Sequence, residues 1–242
     1  MCFSGFTGPC PKSLRTLSAS STIESISQTL FMRDLPAASQ LNELVECTIK
    51  SDSLSFAAKA PSDLWQRTYY GFKPFSAPAM LWSVADNFTF TVRALWEPQH
   101  RFDQCGLLAC VDDSCWMKAS VELEDESTSR LGSVVTNTGY SDWATVDVES
   151  SRHTQWYRLS RRGPDFLLEG SADGADWHQM RMFHLSALGE TTHATEEPHP
   201  PVSPGIPLLQ VGVYVACPVA GKMLATFDNI SIGPCQWKAH GK

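Results

Sequence analysis

Residues 88–96 have the sequence Phe-Thr-Phe-Thr-Val-Arg-Ala-Leu-Trp, in which apolar side chains recur at every second position. Those positions are Phe88, Phe90, Val92, Ala94 and Trp96. Because successive side chains of a β-strand point to opposite faces, this spacing places all of them on one face. The pattern is typical of a strand that is buried on one side.

The same alternation occurs in residues 116–123, where Met117, Ala119, Val121 and Leu123 are the apolar members. Other segments also have the length and composition of strands, and these are 104–111, 131–137, 155–161, 165–171, 177–183, 209–216 and 223–232. Turn-forming residues separate them at Asp112-Asp113-Ser114, Asn137-Thr138-Gly139, Arg162-Gly163-Pro164 and Asp173-Gly174. Many short strands with little helical periodicity after residue 41 predict an all-β sandwich or barrel.

The clearest turn signal is Asp173-Gly174, because Asp-Gly favours the positive φ angles of a two-residue hairpin turn. We therefore expect a tight hairpin between 165–171 and 177–183. Trp177 is expected to stabilise that hairpin from its second strand, and Trp96 and Trp156 are assigned to strand packing.

Composition narrows the function classes. The chain has 242 residues, a formal net charge of −7, 43% hydrophobic residues and 19% charged residues. This length fits one large domain or two small ones, and the composition predicts a packed core. No second core is evident along the chain, so we expect one domain. The acidic balance argues against nucleic acid or an anionic membrane as the main partner, because both attract clustered lysine and arginine. Eight tryptophans are an unusually large number and favour a binding surface.

No membrane or secretory segment is predicted. The longest stretch without a charged residue, 198–221, is interrupted by prolines at 200, 201, 204, 207 and 218. The first residues lack the basic and apolar regions of a secretory signal, so we expect a cytoplasmic protein.

The chain is divided by prediction into three parts. Residues 1–40 form an N-terminal extension, residues 41–234 form the β-sandwich, and residues 235–242 form a tail. The extension is expected to be disordered or to hold a short amphipathic helix over 22–34; it also faintly resembles a transit peptide. A proline-rich stretch, 189–207, is interpreted as a loop inserted into the sandwich.

The eight cysteines are interpreted as thiols. They lie at positions 2, 10, 47, 105, 110, 115, 217 and 235. No Cys-x-x-Cys pair occurs and the histidines lack metal-ligand spacing, so we expect neither a metal nor any other cofactor.

A series of motifs carries a family resemblance. In chain order they are 62–72 (SDLWQRTYYGF), 102–108 (FDQCGLL), 115–122 (CWMKASVE), 133–137 (SVVTN), 140–143 (YSDW), 156–163 (WYRLSRRG) and 171–177 (SADGADW). This series resembles the DUF1349 family, which includes fungal proteins named as regulators of enolase and bacterial members of unknown activity. The match extends over roughly residues 60–232.

The resemblance implies a concanavalin A-like jelly roll with two antiparallel sheets of six or seven strands, one of them concave. That fold serves lectins, glycosidases and interaction domains alike, so the resemblance implies the fold more strongly than the activity. The naming of the fungal members implies an alternative function, a protein-interaction regulator of a metabolic enzyme.

One face of the predicted sheet combines groups that suit a sugar. If Met117, Ala119 and Val121 face the core, the side chains on the opposite face are Gln104, Trp116, Lys118 and Glu122. An amide, an ammonium, a carboxylate and an aromatic ring together can bind a carbohydrate or a sugar phosphate. The alternative is that Lys118 and Glu122 form an ordinary ion pair on a solvated sheet face.

Aromatic residues supply further candidates. Tyr140 and Trp143 follow a turn, which places them at the rim of the sheet, and Trp65 with Tyr70 are the next stacking candidates. Asn137, at the end of the 133–137 motif, is also predicted to contact the ligand.

An acidic run, 122–126, raises the question of catalysis. Glu122 and Glu124 have the alternate spacing of paired glycosidase carboxylates, but the run continues into Asp125 and Glu126 like a charged turn. We therefore predict a non-catalytic module that binds a carbohydrate or sugar phosphate, and a glycoside hydrolase is the less favoured reading.

Overall fold

The structure is a computed structural model that describes residues 22–191 and 205–238. It confirms an all-β sandwich. The strands are β1 Leu30–Phe31, β2 Ser39–Leu41, β3 Val45–Ile49, β4 Ser53–Lys59, β5 Ala79–Val84, β6 Thr89–Trp96, β7 Gln104–Asp112, β8 Cys115–Leu123, β9 Thr128–Asn137, β10 Tyr140–Glu149, β11 Thr154–Arg162, β12 Asp165–Ser171, β13 His178–His184, β14 Leu209–Ala216 and β15 Lys222–Gly233. Short 3₁₀ helices cover Met32–Asp34 and Ser186–Leu188. Within the described ranges, no helix has the length and apolar character needed to cross a membrane.

Two antiparallel sheets form the sandwich. The first has seven strands in the order β10-β9-β8-β7-β14-β5-β2. The second has eight strands, with the order β13-β12-β11-β6-β15-β4-β3 and with β1 beside β15. The expected size of six or seven strands therefore holds for the first sheet, and the N-terminal β1 enlarges the second.

The main core lies between the sheets, where the predicted apolar faces meet. Phe88, Phe90 and Val92 of the opening segment are fully buried there, and Met117 and Ala119 of β8 are buried opposite them. The period-two pattern identified both inner faces correctly, because each strand places alternate side chains against the other sheet.

A second apolar cluster covers the outer face of the seven-stranded sheet. It is formed by residues 60–78, the covering segment, which connects β4 to β5. Buried residues of this segment are Leu64, Trp65 and Ala77, and they pack with Leu108, Cys110, Trp116, Val134 and Tyr214 of the sheet. Much of the face expected to be an open concavity is therefore filled by the chain itself.

The described part of the N-terminal extension contains no α-helix, and only Met32–Asp34 forms a short 3₁₀ turn, so the amphipathic helix expected over 22–34 does not form. Ile23 forms a parallel bridge with Val84, and the Ile26 N–H donates to the Asp86 carboxylate at 3.1 Å. Pairing with strand edges satisfies backbone groups that a helix would otherwise satisfy. Residues 1–21, most of the inserted loop (192–204) and residues 239–242 lie outside the described residues.

Of two turns predicted from the sequence, the one at Thr138-Gly139 is confirmed and the one at Asp173-Gly174 differs from the prediction. Thr138 and Gly139, with φ of 50° and 75°, form the predicted tight turn between β9 and β10. The Asp173-Gly174 turn is wider than expected, because residues 172–177 separate β12 from β13. There the Asp173 carboxylate accepts the N–H groups of Ala175 and Asp176, which lowers its pKa to about 2. A side-chain-capped loop has replaced the two-residue turn.

Candidate functional site

Strand register places three rows of side chains across the outer face of the seven-stranded sheet. The first row contains Gln104, Glu122, Arg130 and Asp147; the second contains Gly106, Ser120, Gly132 and Thr145; the third contains Leu108, Lys118, Val134 and Trp143. The predicted residues Gln104, Lys118 and Glu122 do share this face. Trp116 lies on the same face, in the next row after the third, where it pairs with Cys110. Alternation along β7 and β8 therefore predicted the correct face.

Three of these side chains are occupied by partners from the chain itself. The Lys118 ammonium pairs with the Asp63 carboxylate of the covering segment at 3.2 Å. The Gln104 amide accepts a hydrogen bond from the Tyr214 hydroxyl at 2.8 Å and donates to Glu122. Trp116 is fully buried, and its indole N–H donates to the Asp113 carbonyl at 3.2 Å. Most of the surface that was predicted to be an open pocket is therefore buried beneath the covering segment.

Glu122 lies where that interior meets solvent and is half-buried. Burial disfavours the charged form of its carboxyl and raises the pKa to about 7. The Lys118 ammonium opposes this shift, whereas the carboxylates of Asp63 and Glu124 add to it. Glu122 therefore changes charge near neutral pH while its neighbours fix its position.

The Glu122→Gln variant should remove a pH dependence of stability. Because the folded-state pKa lies above the ordinary value, the protonated form stabilises the fold, and this contribution is lost as pH rises from about 4.5 to about 7. Relative to the native protein, the variant should gain about 3 kcal/mol across that window. Urea unfolding at a series of pH values measures the difference.

Glu149→Gln is the control, since Glu149 is an exposed residue of β10. A constant difference between the Glu122→Gln and native curves would contradict the raised pKa.

Glu124 is held by arginines. It pairs with Arg101 and, at 3.2 Å, with Arg130. A carboxylate fixed between two guanidinium groups suits a structural ion-pair network. This arrangement does not add support to the hypothesis that Glu122 and Glu124 act together as the two carboxylates of a glycosidase.

An exposed aromatic surface lies beside the covered face. The aromatic platform consists of Tyr69, Tyr70, Phe72 and Trp143, which are 94%, 54%, 50% and 39% exposed. Tyr70 stacks on Phe72 at 5.1 Å between ring centroids and contacts the buried Trp65 edge-on at 5.6 Å. Trp65 also meets Trp143 edge-on at 6.4 Å. Trp65 thus supports rings from two separate parts of the chain.

The loop that carries the platform has an unusual backbone. Arg67, Tyr69 and Gly71 have φ of 57°, 62° and 77°, a region that side chains other than glycine rarely adopt. Gln66 anchors the loop to β10, because its N–H donates to the Ser141 hydroxyl and its carbonyl accepts the Ser141 N–H. Such strained backbone clusters at binding sites, where surrounding contacts maintain it.

Two arginines border the platform. Arg67 lies 5.7 Å above the ring of Tyr140, which is 61% exposed, and it donates to the Gly139 carbonyl. Arg130 lies 5.8 Å above the ring of Trp143. The platform therefore combines aromatic area with cationic hydrogen-bond donors.

Asn137 is separated from the other predicted contacts. Its amide donates to the His184 carbonyl at 2.9 Å and accepts from the Ser186 N–H at 2.8 Å. It connects β9 to the segment after β13, on the side of the sheet facing the other sheet. The structure gives Asn137 a role in joining the two sheets and does not bring it to the platform.

Sequence reasoning missed several members of this surface. Tyr69 and Phe72 were visible as part of a Tyr-Tyr-Gly-Phe run, which is a signal for an exposed aromatic loop. Arg67, Arg130 and Asp63 carried no local signal, because their positions depend on how residues 60–78 fold over the sheet.

Four of the described cysteines are buried. Cys105, Cys110, Cys115 and Cys217 are buried free thiols, and burial raises the pKa of each. A raised pKa disfavours the nucleophilic thiolate. The predicted thiols at positions 2 and 10 lie outside the described residues.

Comparisons with known proteins agree with the fold and its motifs. The model of the family "Protein of unknown function (DUF1349)" matches residues 41–235. "Regulation of enolase protein 1" of Saccharomyces cerevisiae is 27% identical over 149 residues, which are 62% of this chain and 74% of that protein.

Solved structures support the same architecture. A functionally unknown protein from Saccharomyces cerevisiae has a TM-score of 0.70 and 24% identity, with 83% of this chain and 98% of that chain covered. A xylan beta-1,4-xylosidase from Bacillus halodurans has a TM-score of 0.53 and 11% identity over 78% of this chain and 37% of the enzyme. Likeness at this identity shows the fold alone. The family match covers strands β3 to β15 and all of the quoted motifs, and the chain belongs to the DUF1349 family of proteins of unknown function.

Proposed function

We propose that this protein is a non-catalytic binding module that binds a carbohydrate or sugar phosphate at the aromatic platform. The observation that carries the proposal is the platform itself, in which four exposed rings come from two chain segments and two of them, Tyr70 and Trp143, contact the buried Trp65. Folded chains rarely expose contiguous aromatic area without a binding role. The platform is exposed, whereas the predicted contacts Gln104, Trp116 and Lys118 are buried.

The chemistry of the platform suits a sugar ring. The apolar C–H face of a sugar can stack on Tyr70 or Trp143, while hydroxyl or phosphate oxygens can accept from Arg67 or Arg130. Glu122 adds a carboxyl group at the edge of the same face. This arrangement retains the predicted contacts Trp65, Glu122, Tyr140 and Trp143, with Trp65 acting as support.

Substitution of the platform tests the proposal. Tyr70→Ala and Trp143→Ala should each weaken sugar binding by about tenfold or more, which corresponds to about 1.4 kcal/mol, because each removes a stacking surface. A thermal-shift screen against neutral sugars and sugar phosphates identifies a ligand, and calorimetric titration then measures the dissociation constants.

Phe31→Ala is the matched control, since Phe31 is a similarly exposed ring on the eight-stranded sheet. Absence of stabilisation by every compound in the screen, or equal affinity in the platform and control variants, would contradict carbohydrate binding at this surface.

The second candidate function is a protein-interaction regulator of a metabolic enzyme in the cytoplasm. The name of the yeast relative, "Regulation of enolase protein 1", favours it, and exposed tyrosine, tryptophan and arginine are also common at protein interfaces. Affinity purification from cell extract distinguishes the two candidates. A regulator retains a specific enzyme when Glu122→Gln is introduced and loses it when residues 189–207 are deleted.

A further inference from the structure

Strand β10 forms one edge of the seven-stranded sheet and is unusually long for an edge. All ten of its residues pair with β9 in continuous register, and within residues 22–191 and 205–238 no strand pairs with its other side. An unpaired edge presents a row of free N–H and C=O groups that another extended chain can pair with.

The other edges of the sandwich carry features that prevent such pairing. β2 has only three residues. β3 is interrupted by a register shift between Val45 and Thr48, with φ of 54° at Glu46. β13 carries a bulge, because its register with β12 shifts between Leu168 and Glu169. Bulges and short strands are the usual protection of natural edges. β10 has no bulge and contains no proline, glycine or lysine.

The contacts of the platform loop show which backbone groups of β10 point outward. The Ser141 N–H donates to the Gln66 carbonyl and not to β9. Because outward and inward groups alternate in an antiparallel pair, Trp143, Thr145, Asp147 and Glu149 also direct their N–H and C=O groups away from β9. The Glu149 carbonyl already accepts the Arg152 N–H at 3.0 Å. Within the described residues, the outward groups of Trp143, Thr145 and Asp147 and the Glu149 N–H are therefore available to a new strand.

The charge on this edge selects the partner. The charged residues of β10 are Asp142, Asp147 and Glu149, all of them acidic. Arg181 neutralises Asp142, whereas Asp147 and Glu149 form no ion pair in the described part of the chain. The neighbouring β8–β9 turn adds the exposed Asp125 and Glu126. A second copy of this chain would bring like charges together, whereas lysine or arginine would be attracted.

We propose that β10 is a docking edge for an extended peptide segment rich in lysine or arginine. The segment adds to the seven-stranded sheet through main-chain hydrogen bonds to residues 143–149, and its cations lie against Asp147 and Glu149. Val146, which is 61% exposed, offers an apolar contact on the opposite face of the added strand. This site goes beyond the proposed carbohydrate function and is independent of it.

Synthetic peptides test the docking edge directly. The probe is a short labelled peptide that alternates valine with lysine, and the matched control alternates valine with glutamate. Fluorescence anisotropy should show binding of the lysine peptide that weakens as salt is added. The glutamate peptide should bind at least about tenfold more weakly, and N-methylation of the lysine peptide should cost at least as much.

Variants locate the binding. Thr145→Pro removes one outward N–H without breaking the ladder to β9, and should abolish binding. Should Thr145→Pro fail to fold, the double variant Asp147→Lys and Glu149→Lys replaces it and should reverse the preference toward the glutamate peptide. Asp52→Lys, at an exposed turn outside this sheet, is the matched control.

Two results overturn the proposal. One is lysine-peptide binding that is unaffected by N-methylation and by the charge reversal. The other is a dimer of this protein that forms through β10, shown by sedimentation equilibrium and lost with the β10 variants. Tyr70→Ala should leave peptide binding unchanged, so failure of the carbohydrate proposal and failure of the docking edge are distinguishable.

Discussion

Gly106→Ala should unfold the sandwich or come close to it. A Cβ added at this β7 position would lie 2.0 Å from the carbonyl oxygen of Ala119. That oxygen belongs to the backbone of β8, which is paired with β7 on one side and β9 on the other and so has little freedom to move. Overpacking against a flexible side chain costs about 1–3 kcal/mol, and we expect more here because the obstacle is backbone.

Chemical denaturation followed by tryptophan fluorescence measures the effect. Gly212→Ala should behave alike, since its Cβ would lie 2.0 Å from the Met80 carbonyl oxygen. Gly163→Ala is the control, because that position has φ of 57° but nothing within 4 Å of an added Cβ. It should cost only about 1–2 kcal/mol. A Gly106→Ala protein as stable as Gly163→Ala would contradict this account.

Trp116→Ala should destabilise the protein by about 3–5 kcal/mol, because truncating a buried tryptophan leaves a cavity. Trp116 is fully buried in the second apolar cluster, where its ring lies 6.4 Å from that of Phe75. Trp116→Phe keeps most of the contacts and should cost less. The same denaturation experiment measures both variants.

Comparison with Trp143→Ala separates the two kinds of tryptophan. Trp143 is 39% exposed, so its truncation should cost less than about 1 kcal/mol while weakening the proposed sugar binding. A Trp116→Ala protein of native stability that has lost ligand affinity would restore Trp116 as a direct contact and contradict its structural role.

The strands that the sequence predicted best are those with a clear apolar pattern. β6, β7 and β8 were predicted within about two residues, because β6 and β8 alternate apolar side chains in sequence and β7 is a short apolar run bounded by a turn signal. β10 was missed as a strand, because most of its residues are exposed on both faces and no apolar period results. The segment 22–34 was misassigned for a related reason. Its spacing fits a helix, but pairing of Ile23 with β5 and of β1 with β15 decided its conformation.

The candidate site was predicted in part. Alternation placed Gln104, Lys118 and Glu122 on one face, which is a local property of β7 and β8. Whether that face is open depends on a segment roughly forty residues earlier in the chain, and no local pattern reports it. The same long-range contact explains why Asp63 escaped notice as the partner of Lys118.

The covering segment gives the molecule a third layer over the middle of one sheet. Strand β7 is consequently enclosed above and below, and every residue from Gln104 to Cys110 is buried. Tolerance to substitution should therefore be low at every position of β7 and should not alternate along the strand. In this respect β7 resembles the strands of parallel sheets that are covered by helices on both faces. Redesign of this protein should therefore change the exposed rings of the platform and the edge strand β10, and should leave the buried middle of the seven-stranded sheet unchanged.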